Sequence, residues 1–205
     1  MSKTVKELEA ALAAAGPGDA RQRARLLNRL SREVAASDAA RALEACLESQ
    51  RLCQGGGCDL ELGEAYDSEA MLCCARADYT RARTRCQDAL RLFEKLADDR
   101  AKAGALLTMG DILAAQGDYT KALVNHLSAF KLVQAGGDRP GQAEAEDRIG
   151  SDYALMGDYA SALEHHLNDL AIRRELGDRA GQAAALLRIG RVYDATGEPA
   201  QALRS

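Results

Sequence analysis

The chain has 205 residues, 47% of them hydrophobic and 28% charged, with a formal net charge of −4, a composition typical of a folded, soluble chain. The negative charge argues against direct binding of nucleic acid, because contact with the phosphate backbone needs clustered lysine and arginine. The sequence shows no run of about 18 apolar residues and no secretory signal, so we predict a cytoplasmic protein that does not enter a membrane.

A short motif recurs along the chain with a period of 40 residues. Gly117-Asp118-Tyr119 returns as Gly157-Asp158-Tyr159 and, in altered form, as Gly197-Glu198-Pro199. Alanine recurs in the same register, at Ala42, Ala82, Ala122, Ala162 and Ala202. A fixed period of this length indicates stacked units, none of which can bury its apolar face alone.

Each unit is predicted to be a pair of helices, named here helix A and helix B. The apolar stripe of helix B is clearest in the fourth unit, at Tyr159, Ala162, Leu163, His166, Leu167 and Leu170, where the spacing of three and four positions is that of an amphipathic helix. A glycine that can end helix A and an aspartate that can cap helix B stand between the two. A second turn, marked by Asp138 and Asp178, leads into the next unit.

In chain order, residues 1–16 form a half repeat whose helix, Thr4 to Ala15, caps the array. Four full repeats follow at 17–56, 57–96, 97–136 and 137–176, and a truncated fifth repeat occupies 177–205. We predict helix A at 19–35, 59–75, 99–115, 139–155 and 179–195, and helix B at 38–53, 78–96, 118–135 and 158–176. The last helix B has only begun at Ser205, so we expect either that the native protein continues or that this open end self-associates.

The six cysteines all lie between Cys46 and Cys86. Cysteine and histidine share one position in the apolar stripe of helix B and are predicted to be packed there: Cys46, Cys86, His126 and His166. Cys73 and Cys74 are adjacent on one helix and cannot face one ligand, whereas Cys53 and Cys58 flank a glycine turn and can approach each other. Paired zinc-ligand spacings are missing, so we predict no metal, no structural disulfide and no cofactor.

Candidate catalytic residues have plain structural explanations. His165 and His166 are neighbours on one helix, where packed or capped histidines are the expected interpretation. Glu144 and Asp152 each stand four residues from Arg148, and we predict that they pair with it on a solvated helix face. Because no nucleophile with a base and an orienting partner can be assembled, we predict no enzymatic activity.

Some residues recur at fixed places within the later units: Ile149-Gly150, Tyr153, Gly157-Asp158-Tyr159 and Ala162, then Leu186, Ile189-Gly190, Tyr193, Gly197 and Ala202. This pattern resembles the tetratricopeptide repeat family over nearly the whole chain. The 40-residue period and the phrase from His166 to Ile172 are similar to the Leu-Gly-Asn adaptors and to sensor arrays at the front of bacterial signalling proteins. The resemblance implies an all-α fold, a right-handed α-solenoid of antiparallel helix pairs with a concave groove lined by helix A. Gly150 is expected where helix B, through Ala162, comes too close for a side chain.

The first two repeats depart from the family pattern. Leu30 and Ala70 stand where glycine is expected, and Arg29 and Glu69 stand where an apolar residue is expected. We therefore expect these helix pairs to be set at a different angle. The lysine and asparagine that clamp a carboxy-terminal carboxylate in chaperone-binding members are missing, which argues against that activity.

The groove positions implied by the resemblance supply the candidate partner-binding residues: Asp67, Met71, Leu107, Asp111, Asp147, Arg148, Ser151, Arg188, Arg191 and Asp194. The same positions also include Leu27, Asn28, Ser31, Ser68, Thr108 and Leu187. The middle of the set is acidic and its carboxyl end is basic, so we predict an extended or helical peptide with basic residues along the middle. A solvated face of mixed charge is the alternative interpretation.

These features predict a non-enzymatic protein-protein interaction module. The first hypothesis is the amino-terminal regulatory array of a larger bacterial signalling protein, such as a diguanylate cyclase, a histidine kinase or a transcription regulator. The alternative is a freestanding adaptor that holds peptides in its groove, with a native stop at Ser205. A third hypothesis makes the cysteine-rich second repeat a redox or metal switch.

Overall fold

Helices fill almost all of the chain that the structure, a computed structural model, describes: residues 3–16 and 18–197. Within these ranges the helices are α1 (Lys3–Ala14), α2 (Ala20–Val34), α3 (Ala39–Cys53), α4 (Asp59–Ala75), α5 (Tyr79–Leu96), α6 (Asp99–Ala115), α7 (Tyr119–Ala135), α8 (Arg139–Leu155), α9 (Tyr159–Glu175) and α10 (Arg179–Thr196). The predicted helix bounds agree with these to within one residue at each end. The predicted start of the last helix B and its open end fall in 198–205, outside the described residues.

Aspartate caps open most of these helices, as the sequence predicts. A carboxylate oxygen accepts a hydrogen bond from the backbone N–H three residues on at Asp19, Asp38, Asp78, Asp118, Asp138, Asp158 and Asp178. Glycine ends α6 and α8, where Gly117 and Gly157 have φ of 82° and 83°. This left-handed backbone strains residues that have a Cβ, which explains why the motif keeps glycine before aspartate.

Two alanines occupy left-handed positions that glycine holds one repeat later. Ala77 has φ 59° and Ala97 has φ 52°, and their counterparts are Gly117 and Gly137. We expect Ala97→Gly to raise the free energy of unfolding by about 0.5–1 kcal/mol, because relief of the left-handed strain exceeds the extra entropy of glycine in the unfolded chain. Urea unfolding measures the change, and Gly137→Ala is the matched control that should lose stability. A neutral or destabilising Ala97→Gly would contradict this explanation.

Contacts divide the chain into two compact units, Met1–Thr108 and Met109–Ser205. In the first unit each of α2, α3, α4 and α5 packs on the helix before it, and α2 also contacts α4. In the second unit α8, α9 and α10 each pack on the helix before them, and α8 also contacts α10. Successive helices joined by short turns are antiparallel, and neighbouring A helices touch across repeats. The predicted all-α solenoid of antiparallel helix pairs is confirmed.

The helix pairs approach closely along the repeated alanines. Ala42, Ala82, Ala122 and Ala162 are all fully buried, which places the repeated alanine in the packed interior. No helix among the described residues is long and apolar enough to cross a membrane.

The residues of the first two repeats that depart from the family pattern make their own contacts within the chain. Leu30 packs in one apolar cluster with Cys46. Glu69, at an apolar position of the family pattern, is fully buried. Its carboxylate accepts hydrogen bonds from Gln50 at 2.7 Å and Arg81 Nε at 2.8 Å. A buried carboxylate is tolerated when it is paired in this way. The predicted difference in the angle between the helices of these repeats stays a prediction.

Candidate functional site

Each of the two compact units has a cavity between neighbouring A helices. The cavity of the first unit, about 450 Å³ in volume, lies between the ends of α2 and α4, and Ser31, Ala35, Ser68, Met71 and Leu72 are among its lining residues. The cavity of the second unit, about 310 Å³, is lined by Ser151, Ala154, Leu155, Tyr159, His166, Arg188, Arg191 and Val192. Five of the lining positions correspond, three repeats apart, so both cavities occupy the same place on the repeat, on the face of helix A.

Two glycines of helix A admit the histidines of helix B. A Cβ built on Gly110 would lie 2.1 Å from Nε2 of His126, and a Cβ on Gly150 would lie 2.8 Å from the ring of His166. The same Cβ on Gly150 would lie 3.1 Å from the carbonyl oxygen of Ala162. The expectation for Gly150 is therefore confirmed, with the histidine ring as the nearer neighbour.

His126 is 1% exposed and lies between two carboxylates. Its Nδ1 is 2.6 Å from Oδ2 of Asp152, and its Nε2 is 3.5 Å from Oδ1 of Asp111. Asp111 in turn accepts two hydrogen bonds from Arg148 Nε, at 3.0 and 3.1 Å. Burial opposes protonation of the imidazole, but the hydrogen bonds to the two aspartates outweigh it and raise the pKa of His126 to about 9. The pKa of Asp111 is lowered, because the attraction of His126 and Arg148 exceeds the cost of burial.

His166 occupies the same repeat position in opposite surroundings. It is 2% exposed, and the residues 40 positions after Asp111 and Asp152 are Ser151 and Val192. Burial, followed by the positive charge of Arg188, lowers the pKa of His166 to about 4. Two histidines in successive repeats are therefore expected to carry different charges at neutral pH.

Titration of the two imidazoles by NMR of their ring nitrogens should separate them widely. We expect His126 to stay protonated until about 9 and His166 to stay neutral until about 4, against an ordinary pKa of 6.5. The raised pKa of His126 stabilises the fold below 6.5, and this stabilisation is lost as the pH rises to about 9. The depressed pKa of His166 costs stability as the pH falls from 6.5 to about 4, because only the unfolded chain takes up the proton. Variants with asparagine at either position assign the signals, and two titrations near 6.5 would contradict the contrast.

The charged candidates on α8 and α10 are paired within the chain. Asp147 binds the guanidinium of Arg188, and Arg188 Nη1 lies 3.4 Å from Oγ of Ser151. The predicted pair of Arg148 with Glu144 is present at 3.2 Å. The predicted pair of Arg148 with Asp152 is wrong, because Asp152 lies on the buried side of α8 and binds His126.

The remaining candidates differ in exposure. Met71, Leu187, Arg191 and Asp194 are exposed, and Asp67 is partly buried. Six positions are buried and present little surface to a partner: Leu27, Asn28, Ser31, Ser68, Leu107 and Thr108. The exposed candidates of the second compact unit thus lie on α10, and of these Arg191 lines the cavity.

Two histidine contacts lie outside the predicted set of partner-binding residues. Asp152 was missed as the partner of His126, although it continues the buried stripe of Ala145 and Ile149 along α8. His165 Nδ1 lies 2.6 Å from Oε2 of Glu146, and its ring stacks on Tyr153 with centroids 5.3 Å apart. The stacked, hydrogen-bonded ring agrees with the interpretation of His165 as a packed histidine.

The cysteines are free thiols and almost all of them are buried. Burial raises the pKa of Cys46 to about 11 and that of Cys53 to about 12, with the hydrogen bond from Cys53 to Cys58 adding to the second shift. A raised pKa leaves little reactive thiolate, which argues against a redox switch. Among residues 3–16 and 18–197, no three histidine, cysteine or acidic side chains are grouped to hold a metal ion.

Comparison with known proteins identifies the family. The tetratricopeptide repeat model matches residues 101–167 and 141–205, which together make up more than half of the chain. The chain belongs to the tetratricopeptide repeat family. The predicted resemblance is therefore confirmed, and membership implies a scaffold for protein-protein interaction. No curated protein sequence matches this tetratricopeptide repeat chain significantly.

Solved structures share the fold at low sequence identity. BtubC (BKLC) from P. vanneervenii is 19% identical with a TM-score of 0.77, and the match covers 98% of this chain and 84% of BtubC. A Rap protein complexed with competence and sporulation factor is 15% identical, TM-score 0.82, with 98% of this chain and 55% of the Rap protein covered. A signal transduction ATPase from Pyrococcus horikoshii with a tetratricopeptide repeat sensor is 16% identical, TM-score 0.75, with 95% and 31% covered. The likeness to these proteins concerns the tetratricopeptide repeat fold alone.

Proposed function

We propose that this tetratricopeptide repeat array binds a peptide or a protein through the face formed by the A helices of its second compact unit. The observation that carries the proposal is the cavity between α8 and α10, where polar side chains meet exposed apolar ones. Leu155, which lines the cavity, is 56% exposed, and Leu187 on α10 is 59% exposed. Exposed apolar side chains beside a cavity that also carries polar groups are typical of interaction sites.

The larger role that we propose is regulatory, as the amino-terminal array of a bacterial signalling protein such as a diguanylate cyclase, a histidine kinase or a transcription regulator. The fold occurs in a Rap protein complexed with competence and sporulation factor and in a signal transduction ATPase with a tetratricopeptide repeat sensor. The chain spans about half of the first protein and a third of the second, so their whole activities are not carried over. A freestanding adaptor that holds peptides in its groove is the second candidate.

A partner with basic residues would compete with arginines of this chain for the same carboxylates. Asp111 and Asp147 would attract such a partner, but they already bind Arg148 and Arg188. A basic peptide would therefore have to displace an arginine or share its carboxylate. The proposal that the open carboxyl end self-associates concerns residues outside the described ranges.

A peptide display experiment tests the proposed function. We expect a random peptide library to yield binders whose affinity is lost in Leu187→Asp. Leu167→Asp is the matched control, because Leu167 is 46% exposed but lies on α9, a helix B, in the same compact unit. Circular dichroism should show equal helicity for both variants. Failure to select any peptide, or equal binding by both variants, would overturn the proposal.

A further inference from the structure

The cavity between α8 and α10 has a template in the preceding repeat. Three positions correspond at the 40-residue period: Asp111 with Ser151, His126 with His166, and Arg148 with Arg188. In the earlier repeat the Asp111 carboxylate lies 3.5 Å from the imidazole Nε2 of His126 and accepts hydrogen bonds from Arg148 Nε at 3.0 and 3.1 Å. The chain itself thus shows how this part of the repeat holds a carboxylate.

In the later repeat the carboxylate is replaced while its neighbours remain. Ser151 is shorter than aspartate, and the cavity of about 310 Å³ is bounded by Ser151, His166 and Arg188 together. His166 is 2% exposed, and among the described residues its Nδ1 has no hydrogen-bond partner. Oδ1 of Asp147 lies 3.7 Å from this nitrogen, beyond hydrogen-bond distance. A buried imidazole nitrogen without a hydrogen bond is costly unless a ligand satisfies it.

The charges around the cavity favour an anion. Arg188 Nε is engaged by Asp147, but a guanidinium has five N–H donors, and Nη1 lies 3.4 Å from the Ser151 hydroxyl at the cavity. Arg191, exposed on the next turn of α10, adds a second positive charge to the lining. Among the residues that line the cavity, the charged side chains are these two arginines, so the lining itself is positive.

We propose that this cavity is a subsite for the carboxylate of a glutamate or aspartate side chain on the bound partner, which takes the place that Asp111 holds one repeat earlier. The apolar part of the lining, Ala154, Leu155 and Val192, fits an apolar residue beside the acidic one. This inference rests on the proposed function and narrows the chemistry of the partner.

The first test needs no partner, because Ser151→Asp restores the carboxylate within the chain. We expect the pKa of His166 to rise above its value of about 4, because a nearby carboxylate favours the charged imidazole, and NMR titration of the ring would show the change. Ser151→Asn is the matched control, since it fills similar space without charge and should leave the pKa low. An equal pKa in the two variants would overturn the proposal, because the cavity would then not bring a carboxylate to His166.

The second test uses the peptides selected from the random library. We expect them to contain an acidic residue, whose change to glutamine or asparagine weakens binding roughly tenfold or more. Ser151→Asp should abolish their binding, and Ser151→Asn should weaken it less. Selected peptides that tolerate loss of their acidic residues would overturn the carboxylate subsite and leave the proposed function standing. If no peptide is selected, the proposed function itself fails.

Discussion

Truncation of Asp152 to alanine is expected to lower the free energy of unfolding at neutral pH by about 3 kcal/mol, at the lower end of the cost of breaking a buried ion pair. The change removes the carboxylate 2.6 Å from His126, which is 1% exposed and charged at this pH. Asp111, at 3.5 Å from the other ring nitrogen, keeps the loss from being larger. Urea unfolding at neutral pH measures the effect.

Two controls separate charge from shape at this position. Asp152→Asn keeps the size and one acceptor, so it should lose less than Asp152→Ala while still lowering the pKa of His126. Glu144→Ala removes an exposed partner of Arg148 and should cost at most about 1 kcal/mol. The penalty of Asp152→Ala should shrink above the pKa of His126, where the ring is neutral. A penalty that is small at neutral pH, or unchanged by pH, would contradict a charged His126.

Replacing Gly110 with alanine is expected to cost about 1–3 kcal/mol or more, the range for overpacking a close core. The new methyl group would lie 2.1 Å from the ring of His126, which its bond to Asp152 holds in place. The loss would occur although alanine is the better helix former by about 1 kcal/mol. Thermal or urea unfolding of the variant gives the size of the effect.

The same helix supplies the matched control. Gly104 is also on α6, and a Cβ there would meet nothing within 4 Å. Gly104→Ala should therefore gain up to about 1 kcal/mol. Adding His126→Ala to Gly110→Ala removes the ring that the methyl group strikes, so the double variant should lose less than the sum of the single ones. Additive losses would show that the ring is not the obstacle.

The sequence predicted the helices well because their signals are local and repeated. The Gly-Asp turns indicate where each helix ends and the next begins. The stripe of small and apolar residues indicates which face is buried, although Leu167 of that stripe is 46% exposed. The shared position of Cys46, Cys86, His126 and His166 is buried throughout, as predicted. The helix ends inferred for one repeat can thus be transferred to the others, and the predicted helix ends differ little from those of the structure.

The candidate site was less predictable, because its charges depend on residues far apart in sequence. The pairing of Asp152 with His126 spans 26 positions, and helix spacing alone favoured Arg148, which is on the same helix. Asp111 and Asp147 were predicted to attract a basic partner, but arginines from the following repeat neutralise them. Only the packing of one repeat against the next shows which carboxylates are already engaged.

The pairing of His126 with Asp152 makes the repeats non-interchangeable. Gly110 and His126 belong to the predicted repeat at 97–136 and pack against each other within it, whereas Asp152 comes from the predicted repeat that follows. Excision of one whole predicted repeat, residues 137–176, would bring Val192 into the register of Asp152 and leave His126 without the closer of its two carboxylates. The buried contact between His126 and Asp152 therefore constrains the order of the repeats. Natural or engineered rearrangement of the repeats must keep these two neighbours together.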